Sequence, residues 1–380
     1  MRGQVDHQQA MFVVLNLEQK VPADHPLRKI KQWADAVLSE MRRDFNAAYS
    51  DTGRPGIPPE QMLKALLLQA LFSIPSERRL MEGIDYNLLY RWFVDLPVDE
   101  PVWTPEAFSM NRDRFIAHDL VRKFFDRVVR EAMALGLVCS DHFTVDGTLI
   151  RSLASHKSLQ PTKGESKTPP SDPPASASRG GGKDQLVDWR GQKRSNATHR
   201  STTDPEARLA RKGNGKEAQL SHSGHVLMAN RNGLVLDVTV DEADGRAERR
   251  AARRMLGRVR RRHGLCPRTV GFDTGYDDGE FIHKIEKSGV VAHVPIRRGA
   301  IKARDAHGRA RRRARRRMKT VGYAISQRVR KRVEQIIGWC KTTGNLARTR
   351  FVGRPKIQLE GWITGAAYNL LRMSHLTAAG

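Results

Sequence analysis

The sequence predicts an α/β chain, a mixed sheet flanked by helices and preceded by an all-helical amino-terminal region. Three observations predict it. Apolar residues recur at helical spacing up to residue 136, strand patterns and a hairpin turn follow Gly136, and strands then alternate with helices.

In the amino-terminal region, Pro58-Pro59-Glu60 opens a run with Met62, Leu63, Leu66, Leu67, Ala70 and Leu71 on one stripe. The run ends near Ser73-Ile74-Pro75, and Ser76 is placed to cap the next helix. Thr104-Pro105-Glu106 has the cap-then-proline pattern of a helix start. After Asp119, Leu120, Val121, Phe124, Phe125, Val128, Ala132 and Met133 keep helical spacing until Gly136. The stretch Tyr86-Asn87-Leu88-Leu89-Tyr90-Arg91-Trp92-Phe93 fits either a helix-turn-helix or a plain bundle with an aromatic core.

Beyond Gly136, His142 to Leu149 reads as a strand. Gly224 to Asn230 and Leu234 to Val240 read as a hairpin turned at Arg231-Asn232-Gly233. A basic helix from about Arg246 to Arg262 follows, then a strand at Thr269 to Phe272 and a helix at Gly279 to Lys287. A strand at Val290 to Pro295 and a helix from about Ala324 to Lys341 complete the series. Three strands, then helix, strand, helix, strand and helix, is the order of a ribonuclease-H-like fold. The domains expected are 1–136, helical and DNA-binding, and 137–375, the sheet domain. A Pro/Gly-rich segment at about 155–221 interrupts the second, its composition too poor in apolar residues to bury a core and partly disordered by expectation.

Composition narrows the function. Lys plus Arg number 67 against 41 Asp plus Glu, a formal net charge of +26, and an excess of this size attracts nucleic acid. No apolar run approaches the roughly 18 residues of a membrane helix, and the amino terminus lacks the apolar core of a secretory signal. The cysteines, Cys139, Cys266 and Cys340, are odd in number and far apart, which suits a reducing cytoplasm and argues against a structural zinc site. At residues 309–317 arginine is nearly continuous, and between a core strand and the last helix this run reads as a phosphate-gripping loop. Its DNA-binding candidates are Arg311, Arg312, Arg313, Arg315, Arg316 and Arg317.

Three carboxylates stand out. Asp146 lies inside a strand pattern, where aspartate is disfavoured and a charge is costly without a partner; a bulge or turn before Gly147 would also account for it. Asp273 sits at the carboxyl end of a short apolar strand, where open sheets build ligand sites, or else turns the chain. Asp277 or Asp278 fits the cap of the next helix. At roughly 100° per residue, Val329, Val333, Ile336, Ile337 and Cys340 form one apolar stripe. Gln327, Arg330, Glu334 and Lys341 fall along one edge of it, a pattern that a surface ion-pair ladder would share. Metal-dependent phosphodiester chemistry needs such acids: hard Mg²⁺ or Mn²⁺ takes oxygen ligands, and two ions roughly 3.5–4 Å apart can clamp the attacking and leaving oxygens.

The segments Val145-Asp146-Gly147-Thr148, Asp273-Thr274-Gly275-Tyr276-Asp277 and Arg330 to Glu334 with Lys341 resemble the three active-site blocks of DDE transposases of bacterial insertion sequences, most like insertion-sequence family five. The stretches Ser76 to Val94, His199 to Arg208 and Ala367 to Met373 are also similar to family segments, and together these cover most of the chain. The resemblance implies catalytic, metal-holding acids at Asp146, Asp273 and Glu334, two Mg²⁺ or Mn²⁺ ions, and Arg330 and Lys341 at the family's arginine and lysine positions. The family's tyrosine position is held by Gln327, and the arginine run departs from the family pattern. The implied activity is cleavage at the ends of an insertion sequence and strand transfer into target DNA. The implied partners are double-stranded DNA (terminal inverted repeats and target) and further copies of the chain in a dimer or larger complex, near the bacterial nucleoid. About 60 residues separate Asp273 from Glu334, too few for a large inserted subdomain.

Two alternatives remain at this level, a ribonuclease-H-like nuclease that does not join strands and an inactive, transposase-derived DNA-binding protein. Gly213-Asn214-Gly215-Lys216 lacks the upstream glycine and following Ser or Thr of a phosphate loop, so no nucleotide cofactor is expected. His222 and His225 read as strand or surface histidines rather than metal ligands.

Overall fold

The computed structural model describes residues 15–50, 52–53, 56–162, 194–213 and 215–378. Eight helices come first: α1 (Leu17–Lys20), α2 (Pro26–Ser39), α3 (Arg42–Ala48), α4 (Pro59–Leu71), α5 (Glu77–Tyr86), α6 (Leu88–Val94), α7 (Pro105–Ala117) and α8 (Leu120–Ala134). Their starts obey local chemistry. Ser76 Oγ accepts the Arg79 N–H and Thr104 Oγ1 accepts the Ala107 N–H, each satisfying an orphan donor of the first turn. Helix α4 is buried on nearly all sides, and its interior Lys64 is held by the carboxylates of Asp35 and Asp95. Asn87 alone separates α5 from α6 and caps the latter from Leu89 and Tyr90. A helix-turn-helix needs a longer turn, so this stretch is a bundle corner. Trp92 and Phe93 fill the core, while Tyr86 is 83% exposed.

The sheet comprises β1 (His142–Arg151), β4 (Arg208–Ala210), β5 (Gln219–Ala229), β6 (Leu234–Glu242), β7 (Thr269–Gly271) and β8 (Val291–His293), while β2 (Leu159–Pro161) and β3 (His199–Ser201) form a separate pair. Strand β1 is central, antiparallel to β5 and parallel to β7, and β8 runs parallel to β7. Strands β4 and β6 share the outer edge of β5. The helices among and after these strands are α9 (Ala247–His263), α10 (Gly279–Lys287), α11 (Ala306–Arg317), α12 (Val321–Arg330), α13 (Arg332–Thr342) and α14 (Arg354–Ala378). The mixed topology and helical flanks are those expected from the element order.

Two helices cover opposite faces beside β6. On one face, Arg258 and Arg254 of α9 pair with Asp237 and Asp241, which point from β6 into that layer. On the other, α14 packs against β6 and against α8, α4 and α2. Its Gly361 and Gly365 permit that approach, since a β-carbon on either would lie 3.0–3.2 Å from Val238. One hydrophobic core therefore runs from the amino-terminal helices through α14 to the sheet.

Two expectations, on the arginine run and on the last helix, need correction. Of the interrupted segment expected at about 155–221, the structure describes 155–162, 194–213 and 215–221, while 163–193 lies outside the described residues. Ser152 Oγ and His222 Nε2 both bond Asp204 Oδ2, at 2.7 and 2.8 Å, and Ala154, Leu159, Ala207 and Leu220 form a small core there. Those contacts start β5 at Gln219 and add β3 and β4. The arginine run is a helix, α11, rather than a loop; Asp305 caps it through the Gly308 N–H, and Ala310 and Ala314 face inward. Finally, the last expected helix is two, α12 and α13, broken at Lys331, with α14 beyond them. His222 and His225 are strand residues as read, and both are fully buried.

Candidate active site

The pairing of β1 with β7 places the first two acids. Thr144 is the β1 partner of Gly271 in parallel register. Asp146 and Asp273 each lie two residues further along, on adjacent extended segments whose spacing is about 4.8 Å in a sheet. Side chains alternate along a strand, so the two carboxylates share the face of Thr144. Strand β1 stays regular through Asp146, which is opposite Val226 of β5, so no bulge accounts for this aspartate. It is a charged residue within a continuous ladder, at the point where β7 has ended and the edge of β1 is open.

Both acids are held by local backbone. The Gly147 N–H donates to Asp146 Oδ1 and the Gly275 N–H donates to Asp273 Oδ1, each at 2.9 Å. Helix α12 ends at Arg330, whose Nη1 lies 3.4 Å from Asp146 Oδ2. Burial pushes the Asp146 carboxyl above its ordinary value, the Gly147 and Arg330 contacts oppose this, and the charges of Asp273 and Glu334 push it further up. Glu334, on the exposed side of the first turn of α13, thus acts on Asp146 from the other helix of this pair.

The remaining sequence candidates divide. Gln327, at the family's tyrosine position, donates from Nε2 to the carbonyls of Phe272 and His293 at 3.3 and 3.2 Å, pinning α12 to the ends of β7 and β8. Lys341 is half-buried, and burial together with the charge of Lys212 lowers its pKa. Lys212 lines, with Arg211, Gly147 and Glu248, a cleft of about 540 Å³ beside the acids. On α11, Arg311 grips Asp277 with two 2.8 Å bonds, and Arg313 and Arg317 pair with Glu286. Arg312 and Arg315 donate to the carbonyls of Ala303 and Arg297, while Arg316 is exposed. Arg309, Arg312, Arg313, Arg315, Arg316 and Lys319 line a second cleft, of about 560 Å³. Asp278 caps α10 through the Phe281 N–H, as expected of one of this pair of aspartates.

One acid escaped the reading of the sequence. Glu248 lies in the first turn of α9, on the opposite face of the sheet, and its carboxyl is pushed up by burial and by the charges of Asp273 and Asp146. The signal was there: it is the sole carboxylate of an otherwise arginine-rich helix. A helix-dipole role in that first turn explains it equally well until the fold is known.

The donor set suits a hard divalent cation. Carboxylates that repel one another would be relieved by positive charge, and the hydroxyl of Tyr276, 1% exposed and without a hydrogen-bond partner among the described residues, feels Glu248, Asp146 and Asp273 together. Among the described residues, no three Asp, Glu, His or Cys side chains converge closely enough, as they stand, to hold one ion.

Comparison with known proteins follows the same line. Residues 15–114 match the model of a transposase domain (DUF772), and residues 180–370, half of the chain, match the transposase DDE domain. Among solved structures, the chain is similar to the piggyBac transposase of a synaptic complex with hairpin DNA. Identity is 10% and the TM-score 0.38, over 94% of this chain and 74% of that one. No curated protein sequence matches the chain. With acids on a mixed sheet, a strongly basic surface and a DDE-domain match over half its length, the chain belongs to the DDE transposases of the insertion-sequence type.

Proposed function

We propose that Asp146, Asp273 and Glu334 are the catalytic acids with which this transposase cuts DNA at the ends of an insertion sequence and joins those ends to target DNA. The observation that carries the reading is the parallel register of Thr144 with Gly271, which sets Asp146 beside Asp273 where β7 ends, in contact with Arg330 and within the electrostatic reach of Glu334. The three acids would hold Mg²⁺ or Mn²⁺, two ions in all, which when bound supply Lewis-acid charge to the oxygens of the scissile phosphate.

The chain's own residues account for the rest. Arg330 neutralises part of the Asp146 charge in the free protein and can turn a guanidinium N–H to a phosphate oxygen when DNA arrives. Gln327 fixes the height of α12, and hence of Arg330, over the sheet end. Lys341 and Lys212 offer positive charge to the strand beside the acids, and the cleft along α11 offers more through Arg312, Arg313, Arg315 and Arg316. In the first step, water attacks phosphorus in line and the 3′-oxygen leaves, taking up a proton. In the second, that freed 3′-OH attacks a target phosphodiester and displaces its 3′-oxygen. The amino-terminal helices are the proposed reader of end sequence, in a dimer or larger complex that pairs two ends. Incubation of the protein with a labelled terminal-repeat duplex and a target plasmid in Mg²⁺ tests this. Joined products support transposition, cut ends without joining indicate a plain nuclease, and binding alone indicates an inactive derivative.

A further inference from the structure

Glu248 packs from the α9 side against backbone next to both proposed catalytic aspartates. Gly147, which follows Asp146, pairs with His225 of β5 and points to the α9 side. A β-carbon at Gly147 would lie 3.1 Å from Glu248 Oε1 and 3.2 Å from His225 Nδ1. One at Gly275 would lie 3.3 Å from Glu248 Oε2 and 3.1 Å from Asp273 Oδ1. Glu248 and Asp273 oxygens thus flank a single point, and the Glu248 carboxylate rests on two residues without side chains, each a step or two beyond a proposed catalytic aspartate.

Among the described residues, Glu248 makes no hydrogen bond or ion pair that would explain its presence there. Its neighbours are similarly unfulfilled among the described residues: His225 is completely buried with neither ring nitrogen partnered, and the Tyr276 hydroxyl is buried and unpartnered, within reach of the charges of the same acids. Orphaned polar groups of this kind around converging carboxylates mark a place for something that binds oxygen and donates hydrogen bonds. A hydrated divalent cation has both properties.

We infer that Glu248 is a fourth carboxylate of the metal centre, sharing with Asp273 the ion on the α9 side, while His225 and Tyr276 hold its water shell. This rests on the assignment of Asp146 and Asp273 above. The inference also explains why glycine stands at 147: a β-carbon there would crowd Glu248 and His225 and displace the carboxylate from its place beside Asp273.

The test is Mn²⁺ binding by the DNA-free protein, followed by electron paramagnetic resonance, for wild type, Glu248→Gln and Asp146→Asn. Glu248→Gln is expected to weaken the binding of one ion by about tenfold or more, the scale seen when groups around a metal are removed. Asp146→Asn is expected to weaken binding too. Retention of wild-type affinity by Glu248→Gln alone overturns the fourth-ligand inference and leaves the acid triad standing. Retention by both variants overturns both. If Glu248→Gln does not fold, as judged by thermal melting in EDTA, Glu248→Asp, one methylene too short to reach, is read in its place with the same expectations. Gly147→Ala should reproduce the loss without touching any carboxylate, and unchanged affinity there would refute the proposed route.

Discussion

Arg311 and Arg316 sit on one helix five residues apart, yet the structure gives them opposite work. Arg311 Nε and Nη2 each lie 2.8 Å from a carboxylate oxygen of Asp277, whose side chain is only 1% exposed and which also accepts the Arg297 N–H at 3.0 Å. Arg311→Gln removes the charge partner and leaves a buried carboxylate with one backbone donor. Breaking a buried pair costs about 3–5 kcal/mol. The Arg311 side chain is 29% exposed, so water reaches its side of the pair and a cost discounted below that range, about 2–3 kcal/mol, is expected. The Arg316 side chain is exposed and makes no hydrogen bond or ion pair among the described residues, so Arg316→Gln should change stability by less than about 0.5 kcal/mol. DNA binding reverses the ranking. Removing one cation from a phosphate reduces the slope of log affinity against log salt by about 0.9, and a reduction of that size is expected for Arg316→Gln. Urea melts together with DNA binding measured from low to moderate salt give both quantities. The reasoning fails if Arg311→Gln is as stable as wild type, or if Arg316→Gln unfolds the protein and leaves the slope unchanged.

Two further outcomes follow from the same geometry. Arg330→Ala should slow strand cleavage by ~10²-fold, the usual cost of taking a charge away from the reacting group, while exposed Arg328→Ala leaves it nearly intact. Arg332→Ala should lower stability instead, because Arg332 Nη1 donates to the turn carbonyls of Asn230 and Arg231; equal kinetic losses at all three positions would mean that the wrong helix edge faces DNA. His142 is held near pKa 4, down from 6.5, by burial and then by the charge of His293, with a smaller opposing effect from Thr269. Its folded pKa is depressed, so the stability it contributes is complete above about pH 6.5 and is lost as pH falls toward 4. At about 1.4 kcal/mol per unit the loss reaches about 3 kcal/mol. Urea melts at pH 7 and pH 4.5 should therefore differ less for His142→Gln than for wild type, and an equal difference would exclude His142 as the cause.

The parts of the fold that were legible share a cause: their signals are local. Caps at Ser76 and Thr104, the Asn-Gly turn before Leu234 and the strand after Gly136 depend on neighbours in sequence, and the structure follows them. Helix α11 was misread because a run of arginines looks solvated until its carboxylate partners, Asp277 and Glu286, are brought from 27–34 residues away. The contacts at both ends of 155–221 were hidden for the same reason, since Asp204 is anchored by Ser152 and His222 from different strands. Asp146 and Asp273 could be suspected singly, but only the β1–β7 register sets them side by side. Glu248 needed the whole sheet, because it is brought to the acids by α9, against backbone left bare at Gly147 and Gly275. Helix periodicity put Arg330 and Glu334 on one edge; Arg330 contacts Asp146 and the charge of Glu334 is felt there, although Lys331 breaks the helix between them.

The most direct measurement is end cleavage and joining in Mg²⁺ by Asp146→Asn, Asp273→Asn and Glu334→Gln, each compared with wild type at matched DNA occupancy. These acids are assigned to metal rather than to DNA, so each variant is predicted to lose both reactions while keeping DNA affinity within a few-fold. Near-normal cleavage by any one of the three would remove that residue from the active site, and near-normal cleavage by all three would contradict the account.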